Sequence, residues 1–577
     1  MSSFVQNSFW IAPLLVVGST MGAIASGERS TIAQTAVPET PETEDSVEQV
    51  TSVSQLSDVQ PTDWAFQALQ SLVERYDCIA GYPNNSFRGN RAMTRYEFAA
   101  GLNACLNRVQ ELIATNTADI VKKEDLETLQ KLQQEYADGL VELRGRIDGL
   151  ESRTAVLESE QFSTTTKLNA EVIFALGGVF GEDRALNSDQ WRIINNASPA
   201  TRETVKASQY TATGGRRLQD NTILSDRIRL NFVSSFTGKD QLFARLEASN
   251  SSAFNAPVTG TNMTRTSWDS TNDTTNSVQL GKLYYRFPVG EKINVIVDAI
   301  GGEFYDNFNT INPLLSSTPV GAISRFGRFS PIYRTSNTSS ASNTGSGVSA
   351  VFKLNDKITF SGGYLARRGS DPSDGKGLFD GSYGALAQLA FQPNKDLTIG
   401  LTYAHSYLSG AASDVTVSGG YGSAFANTPF GSTISTSTNN YGLQTSYRFN
   451  SQFTLGAWVG YTQATAENSA TNVNRGDKAD IWNWAVTLAL PDLGKKGNLG
   501  GIIFGQPPKV TSNDFGPSST GNLRLDSDTS YHLEALYRYQ VNSNLSITPG
   551  LIVIFNPEHN SNNNTIYTGV IRTTFRF

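Results

Sequence analysis

After Gln161 the chain is built from segments of about ten residues in which apolar and polar side chains alternate with a period of two. In "LGKLYYRF", Gly281, Leu283, Tyr285 and Phe287 share one face, while Lys282, Tyr284 and Arg286 share the other. "DRIRLNF" sets Ile228, Leu230 and Phe232 against Arg227, Arg229 and Asn231. "YHLEALYRYQV" sets Tyr531, Leu533, Ala535, Tyr537 and Tyr539 against His532, Glu534, Arg538 and Gln540. One face suits hydrocarbon and the other suits water. An outward aromatic then recurs before a short polar turn: Phe236, Phe287, Phe391, Phe449 and Tyr539. The connections on the opposite side are long and rich in Asn, Ser, Thr and Gly, at about 179–224, 251–276, 300–345, 408–439 and 507–528. A soluble β-sandwich also alternates, but it does not explain turns that are short on one side only.

The segments number about sixteen, which predicts a mainly β domain over 163–577: an antiparallel transmembrane β-barrel of the outer-membrane type, with Trp482 and Trp484 in the girdle at its long-loop end. An even count leaves both barrel ends on the short-turn side, which in such barrels is periplasmic. The last segment, Thr565 to Phe577, puts Ile571, Phe575 and Phe577 toward lipid and Arg572 and Arg576 toward the lumen; Arg448 is also assigned to the lumen. A barrel of about sixteen strands is wide enough to hold an aqueous channel, whereas about eight strands are filled by side chains.

Composition agrees. Only 38% of residues are hydrophobic and 17% charged, and nothing after residue 26 approaches the run of about 18 apolar residues that a spanning helix needs. A net charge of −7 with no long basic run argues against nucleic acid as a partner. The apolar stretch Trp10 to Val17 followed by Ala23-Ile24-Ala25 reads as a signal peptide over 1–26, and the Thr, Pro, Glu and Ser of 27–55 as a disordered linker. Cys78 and Cys105 form one disulfide in an exported chain, or stay as two buried thiols.

Between linker and barrel lie two helical stretches. In 56–108, Trp64, Ala65, Ala68, Leu69, Leu72 and Val73 have helical spacing, "GYPNNSFRGN" is turn-rich, and Thr94-Arg95-Tyr96-Glu97 fits a capping box. Over 122–160, Leu126, Leu129, Gln133, Tyr136, Leu140, Leu143, Ile147, Leu150, Thr154 and Leu157 keep a 3-4 spacing. Arg146 and Arg153 fall at g, Glu151 and Glu158 at e, the arrangement of a parallel coiled coil about 60 Å long. A helix packed on its own chain is the alternative to self-association. Three strands would make a homotrimer.

The stretch from Leu56 to Leu106 resembles the S-layer homology (SLH) domain, through Trp64-Ala65, Gly81-Tyr82-Pro83, Phe87-Arg88 and the Thr-Arg-x-Glu box. The resemblance implies binding to peptidoglycan or a linked cell-wall polysaccharide, with contacts from Thr94, Arg95, Glu97 and Trp64. With the coil and the segment "GAISRFGRFSPIYR", nearly the whole chain resembles the SLH-bearing outer-membrane porins of cyanobacteria, grouped with OprB-type carbohydrate-selective porins. That resemblance implies passage of sugars or of inorganic ions, including iron. It also implies that the loop between the fifth and sixth strands folds into the lumen, and that the barrel assembly machinery recognises the terminal Phe577 with Phe575.

In that loop Arg325, Arg328 and Arg334 sit among Phe326, Phe329 and Tyr333, with no acid between Asp306 and Asp356. Arginines narrowing a pore favour anions or polar neutral solutes, and rings beside them offer faces to sugars; the alternative is that these groups only anchor the loop to the wall. The only histidines, His405, His532 and His559, lie on separate segments and suggest neither a triad nor a metal site, so no enzyme and no cofactor is expected. A structural anchor between outer membrane and wall is the competing reading.

Overall fold

The computed structural model describes residues 52–63, 66–76, 86–87 and 95–115, scattered positions between 127 and 151, and 166–577 apart from 271–274, 336–344 and 517–522. It divides into two units, Met1–Arg153 and Thr154–Phe577.

The larger unit is a closed antiparallel barrel of sixteen strands, each hydrogen-bonded to its neighbours in sequence. They are β1 Thr166–Phe180, β2 Ile223–Ser234, β3 Gln241–Ser249, β4 Gln279–Val289, β5 Ile293–Ile300, β6 Ser346–Lys353, β7 Ile358–Ala366 and β8 Tyr383–Phe391, then β9 Leu397–Leu408, β10 Thr436–Asn450, β11 Phe453–Ala466, β12 Lys478–Pro491, β13 Leu499–Asn513, β14 Tyr531–Gln540, β15 Leu545–Phe555 and β16 Ile566–Arg576. Closure joins β1 to β16, with Leu176 opposite Ile571 and Glu171 opposite Arg576. Beyond β16, Ala170 N–H donates to the Phe577 carbonyl at 2.6 Å and Phe577 N–H to that of Ala170 at 3.1 Å. Closing the ring leaves no open sheet edge in the hydrocarbon.

Alternation decides which face each side chain takes. Leu176, Leu401, Leu443 and Ile571 are exposed on the outside, and their sequence neighbours are buried within. Outward aromatics band both rims. At the long-loop end Tyr403, Tyr441, Tyr461 and Trp482 run side by side, with ring centroids 5.3, 6.1 and 4.7 Å apart, and Trp484 packs on Phe504, which stacks on Tyr531. At the short-turn end Phe449 packs between Tyr447 and Phe453.

β13 runs further than its pattern suggests, from Leu499 through Pro507 and Pro508 to Asn513. The pairing with β12 shifts register there, jumping from Gln506 to Lys509, so the prolines, which have no N–H to donate, occupy a bulge.

In the smaller unit Val53, Leu56, Leu69 and Val73 form a core, against which Val59, Phe66 and Phe87 pack. The Ser52 hydroxyl donates to Glu74 at 2.7 Å. Ser52 and Val53, inside the expected linker, are therefore part of packed structure. A second helix runs Arg95–Thr115. Arg95 and Glu97 lie in its first turn, and Cys105, further along, is disulfide-bonded. Trp64, Cys78, Thr94, the signal peptide over 1–26 and the coil over 122–160, save its scattered helical positions, lie outside the described residues.

Candidate functional site: the constricted lumen

Three loops fold into the barrel. The third, 301–345, leaves β5 at Gly301, whose φ is +67°. A Cβ there would stand 2.2 Å from the Gly281 carbonyl oxygen, so only glycine makes this turn. The loop tip is then fastened to β14–β16. Arg572 donates to the carbonyls of Thr318 and Gly321 at 2.7 Å and of Ala322 at 3.3 Å. The Thr574 hydroxyl donates to Pro319 O at 2.7 Å and Arg538 to Val320 O at 2.9 Å. The carboxylate of Glu534, fully buried, accepts from the N–H of Ile323 and Ser324 and from the Ser324 hydroxyl.

The second loop, 250–278, runs beside the third. Ser267 N–H donates to Ile323 O at 2.7 Å and Arg325 N–H to Arg265 O at 3.0 Å. The fifth, 409–435, supplies Tyr421, whose ring stacks on Phe326 at 5.3 Å and whose hydroxyl donates to Met263 O. These loops close over the inner faces of β7–β16. Phe304, Phe308, Phe329, Ile332 and Tyr333 pack on Leu365, Leu386 and Ala404 of the wall.

The opposite wall, β1–β5, is charged: Arg227 and Lys282 are buried, and Glu171, Arg229 and Glu247 half-buried. Arg227 pairs with Glu171 at 2.6 Å and Arg229 with Glu247 at 2.7 Å. Lys282 pairs with Asp306 of the third loop and stands 3.9 Å from Glu303. Arg245, Tyr284 and Arg286 are half-buried beside them, and Asp306 is exposed. The cation-rich wall therefore meets the acidic start of the third loop at Lys282.

A family profile described as carbohydrate-selective porin, OprB family, matches residues 123–577, and one for the S-layer homology domain matches 55–99. This chain is an OprB-family porin. It is 39% identical over 540 residues to an uncharacterized protein of Synechocystis sp., covering 90% of each chain. The outer membrane protein SlpA of Thermus thermophilus is 34% identical over 105 residues, 18% of this chain and 11% of that one. Among solved structures, Pseudomonas putida OprB aligns with a TM-score of 0.45 and 11% identity, covering 74% of this chain and 97% of that one. Membership makes the barrel an outer-membrane channel rather than an enzyme.

The six loop residues singled out from the sequence are brought together in this porin, but their orientation corrects the expectation that all of them narrow the lumen. Phe326, Phe329 and Tyr333 are buried, with no ring face free for a sugar. Phe326 fills a site between Tyr421 and Trp458. Arg328 and Arg334 are buried too, their guanidinium carbons 4.7 and 4.2 Å from the Phe329 centroid. Arg334 donates to Arg325 O and Arg328 to Ser316 O. Of the six, only Arg325 stays half-buried, donating to Gly419 O at 3.2 Å. Burying rings and using arginine N–H groups on loop carbonyls is what holds an irregular backbone inside a barrel.

The residues read as lumenal all take inward positions, with different fates. On the β1–β5 wall Arg227 and Lys282 are buried in ion pairs and Arg229 and Arg286 half-buried, Arg538 and Arg572 are engaged by the third loop, and Arg448 and Arg576 sit at the short-turn rim. There Arg448 pairs with Asp396 at 2.6 Å. Sequence reasoning missed Glu171, Arg245, Glu247, Glu303 and Asp306, and it missed the insertion of the second and fifth loops. The alternation of "QLFARLEAS" placed Arg245 and Glu247 on one face and was the available signal for those two.

Proposed function

We propose that this porin lets small hydrophilic solutes, sugars or inorganic ions, diffuse passively across the outer membrane while its SLH-like domain holds it to the cell wall. The observation that supports the reading is the third loop folded inside a sixteen-stranded barrel, where its Asp306 meets Lys282 of the charged β1–β5 wall. A membrane anchor needs no inserted loop held by four separate side chains. The short turns face the periplasm, and Thr94, Arg95, Glu97 and Trp64 contact peptidoglycan or a linked polysaccharide. Cys78 and Cys105 brace that module. The heptads of 122–160 assemble a homotrimer, and the barrel assembly machinery reads Phe575 and Phe577. Iron would pass as a solute in transit: no group of three potential metal ligands occurs among the described residues.

Single-channel conductance of the purified oligomer in a planar bilayer tests the proposal. Stepwise closure in threes and anion preference are expected, and block by sugars would favour carbohydrate passage. A folded, heat-modifiable barrel without conductance would leave wall tethering as the main role.

A further inference from the structure

On the short-turn side of the constriction the open wall carries an aromatic pair that neither the loop motif nor the family profile assigns. Phe243 of β3 and Tyr284 of β4 face each other across the strands, their rings stacked at 4.8 Å and 7°. Arg245 lies over Phe243 at 5.3 Å, and Arg286 over Tyr284 at 5.4 Å. Strand register sets their order along the lumen. Arg245 pairs with Lys282 at the constriction, and Arg286 pairs with Gln241, next to the turn that joins β2 and β3.

Among the described residues neither guanidinium forms an ion pair with an acid. Arg245 donates its Nε to Asn231 Oδ1 at 2.8 Å, which leaves its terminal nitrogens. The Nε of Arg286 is buried without a partner. The nearby acid, Asp298 on β5, accepts from Asn307 Nδ2 at 2.6 Å instead. A guanidinium held flat on a ring keeps its plane fixed and presents N–H edges, the geometry that binds carboxylate or phosphate bidentately.

Resting on the porin reading, we infer that Arg245 and Arg286, held by the Phe243–Tyr284 pair, are two successive binding stations for the oxyanion group of small solutes passing through the constriction. An oxyanion leaving Lys282 meets Arg245 and then Arg286 without crossing a stretch of wall that lacks a cation. The ring faces are already covered by each other and by the guanidiniums, so the stations select by charge and fork geometry, and an uncharged sugar gains nothing from them.

The test is block of chloride current through the full-length protein in a planar bilayer, with gluconate, phosphate and glucose as probes. Gluconate and phosphate are expected to block saturably, and glucose at the same concentration is not. Block by gluconate identifies organic acids as the source of the group, and block by phosphate alone identifies inorganic oxyanions; either supports the stations. Arg286→Gln and Arg245→Gln should each raise the blocking concentration about tenfold, the loss of one charge-assisted contact. Arg286→Lys should recover only part, since it keeps charge without the fork. Tyr284→Leu should weaken block with no change in charge, which a purely long-range role would not do. Equal block in wild type and both Gln variants, or equal block by glucose, overturns the inference. A wild-type barrel that conducts nothing would instead sink the porin reading itself.

Discussion

Replacing Arg572 by Met should release the tip of the third loop while leaving the barrel intact. The guanidinium is fully buried, makes two 2.7 Å bonds to the carbonyls of Thr318 and Gly321 and a longer one to Ala322, and lies 5.3 Å from the Trp268 ring of the second loop. Hydrogen bonds to a charged group contribute about 1.5–3 kcal/mol each, and bonds sharing one donor group are not additive, so a loss of about 3 kcal/mol is expected. That is about a hundredfold rise in the detached population of the tip. Methionine keeps the stem volume, so the change reports the bonds and not a cavity. Thr574→Val, which removes the single bond to Pro319 O, is the graded comparison at about 1 kcal/mol. Single-channel recording should show larger and noisier openings in Arg572→Met, a smaller effect in Thr574→Val, and unchanged heat-modifiable migration in both. Wild-type conductance and noise in Arg572→Met would refute the claim that these bonds position the loop.

Further tests follow from other parts of the lumen and its cap. A Cβ on Gly321 would stand 2.3 Å from the Leu315 carbonyl oxygen, a backbone atom that cannot step aside, so Gly321→Ala should cost about 1–3 kcal/mol of loop stability and open a protease site near 321. At the long-loop rim Glu558 accepts from the Thr261 hydroxyl and Ala424 N–H, and Asp526 from the Ser423 hydroxyl and Val510 N–H, tying four connections together. Burial raises Glu558 to about 7 and Asp526 to about 8, above the ordinary carboxylate range, so their stabilising effect is complete at acid pH and is lost as pH rises through 7 to 8. His559, buried and lowered to about 3, acts with the opposite sign, but only below its ordinary value of about 6.5. Proteolysis of the loops should therefore accelerate between pH 6.5 and 8, and Glu558→Gln with Asp526→Asn should flatten that rise; a flat wild-type profile would count against the cap.

The barrel was legible because a membrane leaves few solutions. Strand alternation with the outside in lipid must put Leu176 and Ile571 outward, and closure then follows from one-sided turns. The site was legible only in part. The cluster of Arg325, Phe326, Arg328 and Phe329 stands out in any reading, but composition cannot say whether a ring faces solute or wall, and here tertiary packing against Tyr421 and Trp458 decides. The second and fifth loops escaped because Ser, Thr, Asn and Gly dominate them. Their buried members, Phe254, Met263, Trp268, Val417, Phe425 and Phe430, follow no period, since irregular backbone imposes none.

The inner wall itself explains why the loops settle where they do. On β8–β13 the inward positions under them are neutral and small or amidic, such as Gln388, Gly400, Thr402, Ala404, Gln444 and Asn483. On β1–β5 they are Glu171, Arg227, Arg229, Arg245, Glu247 and Lys282. A loop can dry the first surface at the cost of satisfying hydroxyls and amides, whereas drying a charged one costs several kcal/mol for each charge it does not pair, as the third loop pairs Glu534 and Arg572. Thr402 shows the first case: it is buried, donates to Gln444 Oε1 at 2.9 Å, and shares Gln388 as a neighbour with Tyr333. Thr402→Asp should place an unpaired carboxylate beneath the third loop and expel it, raising conductance and protease access together. Asn231→Asp, on the wet wall beside Arg245, should be accommodated with little change in either. If Thr402→Asp left the loop seated, wall charge would not be what divides this lumen into a dry half and a wet one.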